Sequence, residues 1–122
     1  MDLSNNITLI VEKSPELQIF YSLNYKVWVG SQVILCDSPE DAIKILNEKP
    51  VNLVISKLKI DNTPCSELIF NEIKSKNLPT KFINIGLKKL NDEVINLPSA
   101  LDIAPLMKAS AKLLNVTAQD MV

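Results

Sequence analysis

A small group of polar residues stands where strands of this sequence are predicted to end, and these residues are placed to do chemistry. Their carboxylates could bind a metal ion or move a proton, and their lysine or serine side chains could act as nucleophiles. The 122 residues include no histidine, so the commonest general base and metal ligand is missing and histidine phosphotransfer is excluded. No familiar catalytic arrangement joins the group, and we expect no enzyme activity. The group comprises Glu12, Lys13, Ser56, Lys57 and Asp61.

Composition narrows the class of partner. The formal net charge is −1, from 13 basic and 14 acidic residues, and this balance disfavours a nucleic-acid partner. No apolar run approaches the roughly 20 residues that span a membrane, and there is no signal-peptide pattern, so we expect a cytoplasmic protein. Cys36 and Cys65 belong to no CxxC motif, which argues against zinc and favours idle thiols in a reducing compartment. We predict no metal and no cofactor.

The elements that must position these residues follow from the hydrophobic pattern. Five short apolar runs rich in β-branched residues predict strands. The first and third are almost continuously apolar, which is typical of strands covered on both faces. The runs are 7–11, 32–36, 52–56, 81–85 and 93–97.

Helix patterns lie between the predicted strands. Ser14 and Ser38 each precede a proline, so each predicts a capped helix start. A third helix is expected from about Pro64 to Lys76, and the last from about Ser99 to Leu114, with Asp102 as another candidate cap. Spacing by 3.6 residues predicts the inward stripe of the last helix: Ile103, Leu106, Met107, Ser110 and Leu113.

Alternation of strands with helices implies parallel pairing and right-handed crossovers. We therefore predict an α/β fold, a doubly wound five-stranded parallel sheet of the flavodoxin-like type, with strand order 2-1-3-4-5. In such sheets ligands sit at the carboxyl ends of the strands, where the order reverses. One domain over residues 1–115 is expected, with 116–122 as a tail or the start of a linker to a further module.

Three stretches carry a resemblance to a known family. They read LIVEKSPEL, DSPEDAIKILNEKPVNLVIS and LPSALDIAPLMKASAKLL. In this order and spacing they resemble the receiver domain of bacterial response regulators over nearly the whole chain, although no single motif is unique to it.

The resemblance implies a phosphorylation site that has been replaced. Receivers hold magnesium with an acidic pair after strand 1 and with the phosphoacceptor carboxylate that ends strand 3. Here the pair aligns with Glu12 and Lys13, and the phosphoacceptor with Lys57, or with Ser56 in the neighbouring register. A lysine cannot become an acyl phosphate, and its charge would repel magnesium. The resemblance thus points to a pseudo-receiver that is not phosphorylated.

Two further family positions have changed. The hydroxyl residue that ends strand 4 in receivers aligns with Gly86 or its neighbour Ile85, and the lysine that ends strand 5 aligns with Leu97 before Pro98.

Receivers also place a full helix between these strands, but only ten residues separate Gly86 from Leu97. We expect that helix to be shortened or absent, leaving one sheet face partly uncovered. The predicted partner surface there comprises Leu87, Leu90, Val94 and Met107.

Several residues admit two interpretations. Glu12 and Lys57 should approach each other, either as an internal ion pair that replaces metal and phosphate or as two solvated side chains. Tyr25 and Trp28 either anchor a partner or close the first helix against the core. A cluster of lysines at the strand ends is either a patch for an acidic partner or a solvated rim: Lys57, Lys59, Lys88 and Lys89.

The main functional expectation is a phosphorylation-independent adaptor domain in bacterial signal transduction, the N-terminal part of a larger regulator, that binds another signalling protein or its own output domain. Alternatives are a homodimerisation module, a small flavodoxin-like enzyme or ligand-binding domain, and a receiver that still binds metal through Glu12 and Asp61.

Overall fold

Strands and helices alternate along the chain in the computed structural model, which describes residues 6–24, 32–99 and 103–114. The strands are β1 (Ile7–Val11), β2 (Gln32–Cys36), β3 (Leu53–Lys57), β4 (Lys81–Ile85) and β5 (Ile95–Leu97). The helices are α1 (Pro15–Asn24), α2 (Pro39–Glu48), α3 (Cys65–Ser75) and α4 (Ile103–Leu113). The predicted Tyr25 and Trp28, the Asp102 cap and the tail 116–122 lie outside the described residues.

All five strands are parallel, and the sheet order is β2-β1-β3-β4-β5. This confirms the predicted flavodoxin-like fold. The order reverses between β1 and β3, which pair with Val11 opposite Ser56. The chain segments that leave these two strands therefore start side by side at one edge of the sheet.

Two apolar clusters cover the two faces of the sheet. On one face, Tyr21 of α1 and Leu106 of α4 pack on strand residues such as Ile10 and form the α1–α4 cluster. On the other face, Ala42 of α2 and Ile69 of α3 pack on the opposite side of the same strands and form the α2–α3 cluster. Each fully buried Leu or Ile contributes about 1.5–3 kcal/mol relative to an exposed one, so the continuous apolar runs of β1 and β3 reflect burial on both faces.

Helix starts follow the predicted caps. The Ser38 Oγ accepts a hydrogen bond from the Asp41 backbone N–H at 3.2 Å, with Pro39 in the first turn. The Ser14 Oγ accepts one from the Leu17 backbone N–H at 3.4 Å. These contacts satisfy donors that a helix N-terminus leaves unpaired. No helix in the described ranges is long and apolar enough to span a membrane.

Residues 86–94 form a loop without helix, as predicted. The predicted fifth strand was too long, since β5 begins only at Ile95. The cause is local: the side-chain amide of Asn96 donates to the carbonyls of Asn91 and Val94, at 2.9 and 3.1 Å, and holds that stretch in a bend. The loop also covers the sheet face that we expected to be open, because Leu90 and Val94 pack against the α2–α3 cluster.

Candidate functional site

The adjacent ends of β1 and β3 bring Glu12 and Lys57 together. The Lys57 Nζ lies 3.2 Å from the Glu12 Oε2. The same Oε2 accepts hydrogen bonds from the backbone N–H groups of Lys13, at 2.8 Å, and Ser14, at 3.1 Å. The Glu12 side chain is 2% exposed and that of Lys57 is 41% exposed. A buried carboxylate is thus held by two amide donors at the entry to α1 and by one half-open ammonium.

A second ion pair, between Lys13 and Asp61, lies at the same edge of the sheet. The Lys13 ammonium binds the Asp61 carboxylate at the surface, and this contact raises the pKa of Lys13. Asp61 and Asn62 have φ angles of 49° and 66°, the left-handed region that Asp and Asn tolerate best. They form the tip of a tight turn closed by paired backbone hydrogen bonds between Ile60 and Thr63.

These pairings bear on metal binding. Each carboxylate that could serve a cation here, Glu12 or Asp61, already has a lysine ammonium as its partner. In the part of the chain that the structure describes, no group of three or more acidic or cysteine side chains could hold a metal ion. The two carboxylates are thus each neutralised by a lysine ammonium, and that of Glu12 also by backbone N–H groups.

Gly86, which with its neighbour Ile85 is one of two positions where the resemblance implies a hydroxyl residue, lies against Leu58. A Cβ at position 86 would stand 2.7 Å from the Leu58 Cβ, closer than side chains pack. The Gly86 backbone N–H donates to the Leu97 carbonyl at 2.9 Å, and the Leu58 N–H donates to the Ile85 carbonyl at 2.8 Å. Leu97 itself packs on the α1–α4 cluster. Both positions thus serve packing, and a serine or threonine at 86 would need its neighbours to move.

A buried amide network, which the sequence analysis missed, occupies the β4–β5 side of the same edge. Asn84 is 0% exposed. Its Oδ1 accepts from the Ser66 hydroxyl at 2.6 Å, and its Nδ2 donates to the Asn96 Oδ1 and to the Lys88 carbonyl, each at 3.2 Å. Asn96 is directly opposite Asn84 in the β4–β5 ladder.

The network fixes the loop that replaces a helix. The Asn96 Oδ1 also accepts a hydrogen bond from the Leu90 backbone N–H at 2.8 Å. Backbone groups of residues 88, 90, 91 and 94 are therefore all hydrogen-bonded to the side chain of Asn84 or Asn96. Among the described residues, no buried side-chain nitrogen or oxygen lacks a hydrogen-bond partner. The sequence did contain a signal: an asparagine interrupts each of two apolar strands at positions that pair.

The predicted partner surface is only partly at the surface. Leu87 is 93% exposed, whereas Leu90 and Val94 of the same loop are half-buried against the α2–α3 cluster. Met107 is 5% exposed and belongs to the α1–α4 core, so its assignment to that surface was wrong. Met107 lies next to Leu106 on the face of α4 that packs against the sheet, so its side chain is buried.

The cysteines are free thiols. Cys65 is buried at the start of α3, and Cys36 is half-buried at the end of β2. Burial raises the pKa of Cys36 to about 12 and also raises that of Cys65. Because the thiolate is the reactive form, these raised pKa values disfavour reaction at either thiol near neutral pH.

Comparison with solved structures identifies the fold as that of receiver domains. A receiver domain from Methylobacillus flagellatus superposes with a TM-score of 0.72 and 21% identity, covering 90% of this chain and 99% of that one. A LuxR-family DNA-binding response regulator from Staphylococcus aureus gives 0.76 and 19%, covering 88% and 98%. The response regulator TrrA from Thermotoga maritima, in complex with Mg²⁺–BeF, gives 0.76 and 16%, covering 88% and 98%.

At these identities the likeness describes the fold. No protein-family model and no curated protein sequence matches the chain.

Proposed function

We propose that this domain is a pseudo-receiver in bacterial signal transduction that binds another protein and is not switched by phosphorylation. The observation that carries the proposal is the ion pair between Glu12 and Lys57. It lies at the strand-end edge where, by the resemblance, magnesium and the phosphoacceptor would be.

The residues at this site do not supply the groups that phosphoryl transfer to a receiver requires. Phosphoryl transfer to a receiver needs a carboxylate acceptor and cations that neutralise the phosphoryl oxygens. Lys57 cannot form an acyl phosphate, and its ammonium stands beside the one buried carboxylate of the site. Gly86 and Leu97, packed as described, supply neither a hydroxyl nor an ammonium. A domain without this switch keeps one conformation and acts through its surface.

The proposed partner is another signalling protein or an output domain of the same regulator. Receiver-fold proteins take such partners: TrrA has been solved bound to the histidine kinase ThkA. We assign Leu87, whose side chain is 93% exposed, to the partner contact. A second copy of the chain is the alternative partner, and light scattering of the purified protein separates the two.

The test is an amide-resolved NMR titration with Mg²⁺ and beryllofluoride, a phosphoryl mimic. TrrA, which binds Mg²⁺–BeF, serves as the positive control in the same buffer. We expect no saturable shift at the amides of Glu12, Lys57 and Gly86. Saturable shifts there would overturn the proposal, because the domain would still bind a phosphoryl-like ligand.

A second experiment tests the partner. A tagged full chain is used to capture binding proteins, and Leu87→Asp is compared with Lys89→Asp, an exposed residue in the same loop. We expect Leu87→Asp to lose the captured protein and Lys89→Asp to keep it. Equal capture by both variants would contradict the assignment of Leu87.

A further inference from the structure

A cavity of about 510 Å³ opens at the strand-end edge beside the Glu12–Lys57 pair. Its volume falls within the roughly 300–1,000 Å³ that small-molecule sites occupy. Apolar side chains supply most of its wall: Leu17, Leu58, Ile85, Leu87 and Pro98. Leu58 and Gly86 both line the cavity and approach each other closely, since a Cβ at position 86 would stand 2.7 Å from the Leu58 Cβ.

The charges around the cavity are unbalanced. Three lysines line it, Lys57, Lys59 and Lys88, against one carboxylate, that of Glu12. Glu12 is already neutralised by Lys57, which leaves two positive charges. Neither Lys59 nor Lys88 has an ion-pair partner among the residues that the structure describes. The chain as a whole carries −1, so this positive charge is local to the cavity.

We propose that the cavity binds a small amphipathic anion, an apolar body that carries one carboxylate or phosphate group. The apolar wall takes the body, and the ammonium groups of Lys59 and Lys88 at the rim take the anionic head. Lys57 stays on Glu12 and shields the anion from that carboxylate. This inference goes beyond the proposed function, and it is tested on the chain without a protein partner because Leu87, assigned to the partner contact, also lines the cavity.

The test uses the ¹⁵N-labelled full chain with EDTA present and three probes that separate the two parts of the ligand. The first, 4-phenylbutyrate, has both the apolar body and the anion. The second, 4-phenylbutylamine, has the same body with a cation, and the third, acetate, has the anion alone. We expect 4-phenylbutyrate alone to produce saturable shifts at the amides of Leu17, Gly86 and Leu87. Equal binding of the amine, equal shifts with acetate, or no saturable shift with any probe would overturn the proposal.

Two variants locate the head group. The double variant Lys59→Ala/Lys88→Ala should weaken phenylbutyrate binding about threefold to tenfold, because each exposed ammonium adds a modest charge attraction. Lys89→Ala is the matched control, since Lys89 is 75% exposed and its nearest acid is Asp92, 3.9 Å away. An unchanged affinity in the double variant, or an equal loss in Lys89→Ala, would contradict the assignment.

A parallel titration with phenyl phosphate identifies the preferred head group. Because none of these probes needs magnesium or mimics a metal-bound phosphoryl group, their failure would leave the proposed loss of phosphorylation standing. Conversely, a positive beryllofluoride titration would not remove binding of an amphipathic anion.

Discussion

The carboxyl ends of the strands form one edge of the sheet, and two regions of this edge are stabilised by different interactions. At the ends of β1 and β3 the contacts are ionic, and the lysine side of each pair is open to solvent: Lys57 is 41% exposed, although its partner Glu12 is 2% exposed. At the ends of β4 and β5 they are neutral hydrogen bonds centred on Asn84, which is 0% exposed. Exposed ion pairs contribute little to stability, whereas a buried polar group that loses its partner is costly. The uncharged half should therefore determine stability, and the charged half should determine which ligands are accepted.

The largest effect is expected at the centre of the neutral half. Asn84→Leu removes the acceptor of the Ser66 hydroxyl and the donor to the Lys88 carbonyl and Asn96. We expect a loss of about 2–3 kcal/mol in the free energy of unfolding, measured by urea denaturation.

The control is Asn47→Ala, an exposed asparagine of α2 that also makes side-chain hydrogen bonds. Its cost should stay within about 0.5 kcal/mol. Similar losses in the two variants would remove the distinction between buried and exposed amides on which the comparison depends.

Gly86 should show the next largest effect. Gly86→Ala places a methyl group 2.7 Å from the Leu58 Cβ, and overpacking of this kind costs about 1–3 kcal/mol. In a Leu58→Gly background the same substitution should cost less, and a double-mutant cycle on the urea transition measures that coupling. Coupling near zero would show that the contact does not restrict position 86.

The Glu12–Lys57 pair should contribute less. A double-mutant cycle with Glu12→Gln and Lys57→Met should give a coupling of about 0.5–1 kcal/mol, because one partner is half exposed to water. Lys57→Met should leave the fold intact by circular dichroism. A coupling as large as the cost of Asn84→Leu would reverse the ranking of the two halves.

The smallest effect is expected at the Lys13–Asp61 pair, whose side chains are 60% and 69% exposed. Lys13→Met should leave the thermal unfolding midpoint unchanged at moderate salt, where exposed charges are screened. A clear drop in the midpoint that disappears in high salt would show that this pair stabilises the edge more than its exposure suggests.

The fold could be predicted because its signals are local. The apolar runs of β1 and β3 mark strands buried on both faces, and Ser38 before Pro39 marks a helix start. The ends of β1 and β3 then bring Glu12 beside Lys57 by topology alone, so their proximity could also be expected from the sequence.

The features that could not be predicted from the sequence depend on contacts between elements that are distant in the chain. Asn84 and Asn96 look like interruptions of two strands until the β4–β5 register places them opposite each other. The 3.6-residue spacing correctly placed Met107 on the inward stripe of the last helix. Its assignment to the partner surface came from the expected loss of the helix between strands 4 and 5, and that assignment was wrong. The extent of β5 was overestimated because a side-chain contact of Asn96, not a backbone propensity, sets its start.

The loop of residues 86–94 has a consequence for sequence variation. Its shape is set by two side chains of the flanking strands, whereas a helix would require every residue to keep the helical period and propensity. Positions such as Leu87, Lys89 and Asp92, exposed on this loop, are free of that requirement. A lineage that retains Asn84 and Asn96 can exchange these residues without losing the shape of the loop, and each exchange then changes what the loop recognises, as in a variable loop on a constant framework.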